Sequence, residues 1–78
     1  MSVTVLYFAS LRDRAGMDAE TLPADGSVSD AYDALRARHD FAFARTQLRV
    51  AVNGTLASWD HALRDGDEIA FIPPVSGG

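Results

Sequence analysis

The two most apolar stretches of the chain lie at its opposite ends. Val3 to Ala9 is rich in β-branched and aromatic residues, and so is Glu68 to Ile72. Strands this apolar belong in the middle of a sheet, covered by a helix. Between them lies one segment with a clear helix start. Ser27 is placed to cap, Asp30 sits three residues on, and Asp30 and Asp33 put negative charge at the N-terminal end. Val28, Ala31, Tyr32 and Leu35 then fall on one helical face, with Arg36 and Arg38 in the closing turn. Two apolar terminal strands and one amphipathic helix leave few ways to fold.

The remaining segments fill in a sheet. Leu11 to Gly16 reads as a turn or a short helical segment, and Ala19 to Leu22 as a second strand closed by Pro23 and the Asp25-Gly26 turn. Leu48, Val50 and Val52 alternate with Arg49, Ala51 and Asn53, the period of a half-buried strand. Asn53-Gly54 is a hairpin signal leading into a short strand over Thr55 to Ala57. Phe41 to Arg45 is compatible with a short helix or with a loop over the core. Trp59 to Leu63 bridges to the Asp65-Gly66 turn before the last strand. The order β-β-α-β-β-β is that of a ubiquitin-like β-grasp: an α+β fold with a mixed sheet of four to five strands on one main helix. Residues 1–72 form that domain and residues 73–78 an extended tail.

Size restricts where chemistry can occur. A 78-residue chain buries only about 60–65% of its unfolded surface, which leaves no room for a deep internal active site beside the core. Chemistry is therefore expected at an edge, at the tail or in a partner's pocket. The net charge is −4, and all seven basic residues are arginine. An acidic domain repels phosphate backbones, which argues against nucleic acid and for a basic protein partner. Cysteine is absent, so no disulfide or thiolate metal site forms. No apolar run reaches spanning length and no basic leader precedes the first strand, so the expectation is a cytoplasmic protein without a membrane.

The tail carries the chemistry. Pro73, Pro74, Val75 and Ser76 lead to Gly77 and Gly78. Glycine usage of about 7% gives a chance terminal pair a probability of roughly 0.5%. Two residues without Cβ make the slimmest polypeptide end, able to thread a narrow channel and present a bare carboxylate. An unhindered carboxylate can attack the α-phosphate of ATP and become an acyl-adenylate. Pro73 and Pro74 favour an extended stalk, and six residues reach about 20 Å beyond the fold. Ile72 lies in phase with Glu68 and Ala70, opposite the core positions Ile69 and Phe71. Phe8 lies in phase with Thr4 and Leu6, and Leu56 stands just past the hairpin turn. If Phe8, Leu56 and Ile72 adjoin on one surface they make an apolar docking patch. The other reading is that Leu6, Phe8 and Leu56 fill a two-sided core. Other polar groups read as structural: His39 as a favourable charge at the helix C-terminus, Trp59-Asp60-His61 as a connection, and Asp65-Gly66-Asp67 as a turn, with no metal site.

Taken together, Phe8 to Arg12 closing at Gly16, Asn53-Gly54, Trp59-Asp60-His61, Asp65 to Glu68 and the Pro-Pro-Val-Ser-Gly-Gly ending resemble the molybdopterin synthase small-subunit family of ubiquitin-like sulfur carriers. The resemblance covers the whole chain and is thinnest between Met17 and Gln47. It implies a non-catalytic sulfur-donor subunit of a two-subunit sulfurtransferase, with no stably bound cofactor. An E1-like adenylyltransferase would use ATP to adenylate Gly78, and a sulfurtransferase-derived persulfide would displace AMP to leave a Gly78 thiocarboxylate. The large subunit, in a heterotetramer of two large and two small chains, would receive the tail and pass its sulfur to cyclic pyranopterin monophosphate, forming the molybdopterin dithiolene. Positions matching Phe8, Leu56 and Ile72 face that subunit in the family, although the family often has an aromatic residue where this chain has Ile72. Two related roles stay open: the sulfur carrier for thiamine thiazole synthesis and a ubiquitin-like protein modifier.

Overall fold

The computed structural model describes residues 1–74. Val75, Ser76, Gly77 and Gly78, to which the sequence assigns the reactive tail, lie outside the described residues. Five strands form one sheet in the order β2-β1-β5-β3-β4. They are β1 (Ser2–Tyr7), β2 (Ala19–Pro23), β3 (Arg49–Val52), β4 (Thr55–Ala57) and β5 (Glu68–Ile72), accompanied by helices α1 (Ala9–Ala15) and α2 (Val28–His39). The central pair β1 and β5 runs parallel, and every other pairing is antiparallel. This is the β-grasp arrangement, with the two ends of the described chain side by side at its centre.

Alternation decides which face is covered. Val3, Val5 and Tyr7 of β1, Ile69 and Phe71 of β5, and Val50 and Val52 of β3 are all buried. They form one core with Val28, Ala31, Tyr32 and Leu35 of α2, together with Leu11, Phe41, Leu48 and Leu63. Tyr32 is fully buried among rings, with centroids 5.1 Å from Phe71, 5.5 Å from Trp59 and 6.1 Å from Phe41. Its hydroxyl donates to the Phe43 carbonyl at 2.7 Å, so the buried oxygen is satisfied. Burial pushes the Tyr32 pKa upward.

Helix α2 begins where the capping pattern places it. The Asp30 N–H donates to the Ser27 hydroxyl at 3.3 Å, and the Ser27 N–H donates to Asp30 Oδ2 at 2.9 Å. Two further first-turn donors are met by the loop before β5. The Val28 N–H donates to the His61 carbonyl and the Ser29 N–H to the Trp59 carbonyl, each at 2.9 Å. Trp59 to Leu63 is thus a second, backbone cap on the helix.

One expectation needs correction, and two open readings resolve, Leu11 to Gly16 as helix and Phe41 to Ala44 as loop. The first strand ends at Tyr7, not Ala9. Ala9 adopts φ +50°, which breaks the extended ladder, and the Phe8 carbonyl accepts the first helical bond from the Leu11 N–H at 3.1 Å. Residues Leu11 to Gly16 are then the body of helix α1, which Gly16 closes in the left-handed conformation at φ 74°. Phe41 to Ala44 is a loop with Phe41 buried, followed by a 3-10 turn over Arg45–Gln47.

His39 at the helix end meets a largely buried carboxylate. Its Nε2 lies 2.7 Å from Glu20 Oε1, and that oxygen also accepts from the Tyr7 hydroxyl at 2.6 Å. Arg38 donates to the other carboxylate oxygen. Burial raises the Glu20 pKa, but bonds from Tyr7, His39 and Arg38 outweigh it and leave the carboxyl below its ordinary range. Burial and the same contact push the Tyr7 hydroxyl well up. Glu20 therefore ties β1 and β2 to the end of α2.

Candidate functional site

Among the described residues no element covers the face of the sheet away from α2, and strand register lines up its side chains. Ala19 pairs with Leu6, Leu6 with Ala70, Ala70 with Ala51, and Ala51 with Leu56. Directly opposed residues share a face. The result is an apolar row across all five strands, with only alanine in its middle. Leu56 ends the row at 65% exposure.

The next row carries the tail. Tyr7 pairs with Phe71, so Phe8 and Ile72, one residue further along parallel strands, stand side by side. They are 46% and 38% exposed. Both line a groove of about 600 Å³ whose other walls include Phe43, Pro73 and Pro74. Ile72 pairs on its other side with Arg49 of β3. A second groove of about 490 Å³, lined by Gln47, Arg49, Ile72, Pro73 and Pro74, flanks the tail root there.

Of the sequence-derived docking residues, Phe8, Ile72, Pro73 and Pro74 meet at one place. Leu56 shares their face but stands two strands from Ile72, roughly 10 Å away at ordinary strand spacing. Phe8 and Leu56 are too exposed to fill a second core. Two residues went unrecognised in the sequence. Phe43 sits in a segment with no apolar period to place it. Arg49 was legible as outward-facing, since it alternates with Leu48 and Val50, but nothing in the sequence put it beside Ile72.

A polar clasp fixes where β5 starts. Asn53 sits at φ +53° in the hairpin, followed by Gly54 at φ +84°. The Asn53 amide donates to Asp67 Oδ1 at 2.9 Å, and its Oδ1 accepts from the Glu68 N–H at 2.9 Å. Asp67 Oδ2 accepts from the Arg64 N–H at 2.9 Å. The Asn53 bond, then the Arg64 N–H, hold the Asp67 carboxyl below its ordinary pKa. The turn signal at Asn53 thus does double duty, since its side chain registers β5 against the hairpin and sets the point from which the tail leaves.

Among the described residues no group of three or more histidine, aspartate or glutamate side chains is placed to hold a metal, and no helix is long and apolar enough to cross a membrane. The arrangement is a surface: an apolar sheet face that meets an outgoing tail.

Known proteins are similar to this chain in sequence and fold. The ThiS family matches residues 5–78. The molybdopterin synthase sulfur carrier subunit of Escherichia coli is 44% identical over 80 residues, covering 97% of this chain and 99% of that protein. Its Haemophilus influenzae counterpart is 40% identical with the same coverage. Among solved structures, SAMP1 from Haloferax volcanii superposes with a TM-score of 0.81 at 34% identity, each chain covered completely.

Proposed function

Because the chain belongs to the ThiS family, we propose that it is the sulfur carrier subunit of a molybdopterin synthase, with Gly78 as the carrying residue. The observation that carries this reading is full-length similarity to sulfur carrier subunits at 44% and 40% identity. The exposed Phe8 and Ile72 at the tail root support it, since a carrier must be gripped where its tail enters a partner.

In this reading an E1-like adenylyltransferase binds the carrier and ATP. A Gly78 carboxylate oxygen attacks the α-phosphate, pyrophosphate leaves, and the acyl-adenylate forms. A persulfide from a sulfurtransferase attacks the acyl carbon and expels AMP. Cleavage of the resulting acyl disulfide by a thiol leaves the thiocarboxylate. Gly77 and Gly78 thread the large subunit's channel, where the thiocarboxylate sulfur bonds to a side-chain carbon of cyclic pyranopterin monophosphate and displaces an oxygen substituent from it; a second charged carrier supplies the second sulfur. Hydrolysis of the acyl link returns the carboxylate. Two carriers serve two large subunits. The described fold takes no part in bond making; it positions the tail. With no cysteine, the chain has no thiol to compete for the sulfur.

Intact mass after co-expression with the adenylyltransferase and the sulfur source tests the reading. The expected product carries one sulfur in place of one oxygen at Gly78. A carrier that remains an ordinary carboxylate would falsify it. A second reading, protein modification, is favoured by the likeness to small archaeal modifier protein 1, 37% identical over 82 residues. It predicts branched conjugates on lysines of other proteins. Transfer of sulfur into a thiazole instead would identify the third role, in thiamine synthesis.

A further inference from the structure

Five of the seven arginines have a partner within the fold. Arg12 faces Asp18, Arg14 binds Asp40, Arg38 binds Glu20, Arg45 binds Ser29 and faces Asp33, and Arg36 donates to the Phe41 carbonyl. The side chains of Arg49 and Arg64 are exposed and have no hydrogen bond or ion pair among the described residues, and of the two Arg49 stands on the sheet face away from α2. Its position is unusual in a second respect. On the uncovered sheet face the outward positions of the strands carry two charges, Glu68 and Arg49. Glu68 lies at the far end of β5 from Ile72, roughly 13 Å along the strand. Arg49 is opposite Ile72 and shares a groove with Pro73 and Pro74. A lone cation thus borders the tail root on a chain of net charge −4.

We infer that Arg49 is a positioning residue, which meets an aspartate or glutamate on the large subunit as that subunit closes over Ile72 and the tail. The inference rests on the carrier reading above. Reach excludes a role at the reacting centre. Fully extended, six residues such as Pro73 to Gly78 would reach about 20 Å, farther than an arginine side chain spans. Arg49 therefore does not touch the Gly78 carboxylate of an extended tail, nor a phosphate bound there. Continuity assigns the occupant: a protein that covers Phe8 and Ile72 also covers Arg49. A guanidinium at the rim of that apolar contact is best met by a carboxylate, which it binds in fork geometry. Such a pair fixes the rotation of the carrier on the partner, so that the tail points into the channel. It also steers encounter, by local attraction between the guanidinium and that carboxylate.

The test is binding of the full chain to purified large subunit, with wild type, Arg49→Ala, Arg49→Lys and Arg49→Glu compared at low and high salt. Arg49→Ala is expected to weaken binding about fivefold and Arg49→Glu about fiftyfold at low salt, mostly through slower association. Arg49→Lys should recover part of the loss. Salt should slow wild-type association more steeply than that of Arg49→Ala. Melting temperatures should agree closely throughout, since the Arg49 side chain makes no hydrogen bond or ion pair among the described residues. Arg49→Glu binding within twofold of wild type, or equal salt slopes for wild type and Arg49→Ala, overturns the inference and leaves the carrier reading intact. Wild type that does not bind the large subunit overturns both.

Discussion

Phe71 and Ile72 are neighbours in one strand and face opposite ways, so truncating each should separate folding from docking. Phe71 is 0% exposed and in contact with Tyr32 and Trp59. Phe71→Ala leaves a cavity in the core and should cost about 3–5 kcal/mol. A chain of this size has only about 4–12 kcal/mol in total, so much of it will unfold on mild urea addition. Ile72 is 38% exposed, and full burial of an isoleucine side chain is worth about 1.5–3 kcal/mol. The part still in water therefore holds about 0.6–1.1 kcal/mol that only a partner can recover. For Phe8, 46% exposed, the same reasoning gives about 0.7–1.4 kcal/mol. Because both line one groove, Phe8→Ala with Ile72→Ala should weaken large-subunit binding by about tenfold to seventyfold. Urea unfolding gives the stability changes and titration calorimetry the affinities. If Ile72→Ala destabilises the fold as much as Phe71→Ala, the assignment of faces is wrong. Unchanged affinity in the double variant would mean the partner grips elsewhere.

Glu20 predicts a pH dependence with a definite sign. Its folded pKa is lowered, so its contribution is present above the ordinary carboxylate pKa and is lost as pH falls through the folded value. Thermal melts from neutral to strongly acidic pH should show wild type losing stability on the acid side, with a flatter profile for Glu20→Gln and a cost of about 1–3 kcal/mol at neutral pH. Asn53→Ala should destabilise by about 2–3 kcal/mol, combining a left-handed backbone with the loss of the Asp67 and Glu68 bonds. Asn53→Gly relieves only the backbone, so the difference between the two in chemical denaturation isolates that conformational cost. Equal losses would mean that the left-handed turn carries no strain.

The sheet was legible because its strands alternate cleanly and its turns carry glycine. Burial at Val50 and Val52, the Ser27 cap and the outward Ile72 all follow from two-residue or helical periods. The end of β1 was not legible, since nothing marks Ala9 for positive φ and Phe8 continues an apolar run. Glu20 reads as an ordinary exposed strand residue until α2 brings Arg38 and His39 to it across 18 and 19 positions of sequence. The separation of Leu56 from Phe8 and Ile72 depends on strand order, which local pattern does not encode. Arg49 is hidden for the same reason.

The place of β5 has a mechanical consequence. It is the strand that becomes the tail, and it is bonded on both sides, parallel to β1 and antiparallel to β3. A pull along the tail loads both ladders lengthwise, so their hydrogen bonds must slide together instead of opening one after another. An edge strand such as β4, paired only with β3, would set a single ladder against the same load. Force applied to the chain end is therefore borne by two strand ladders at once.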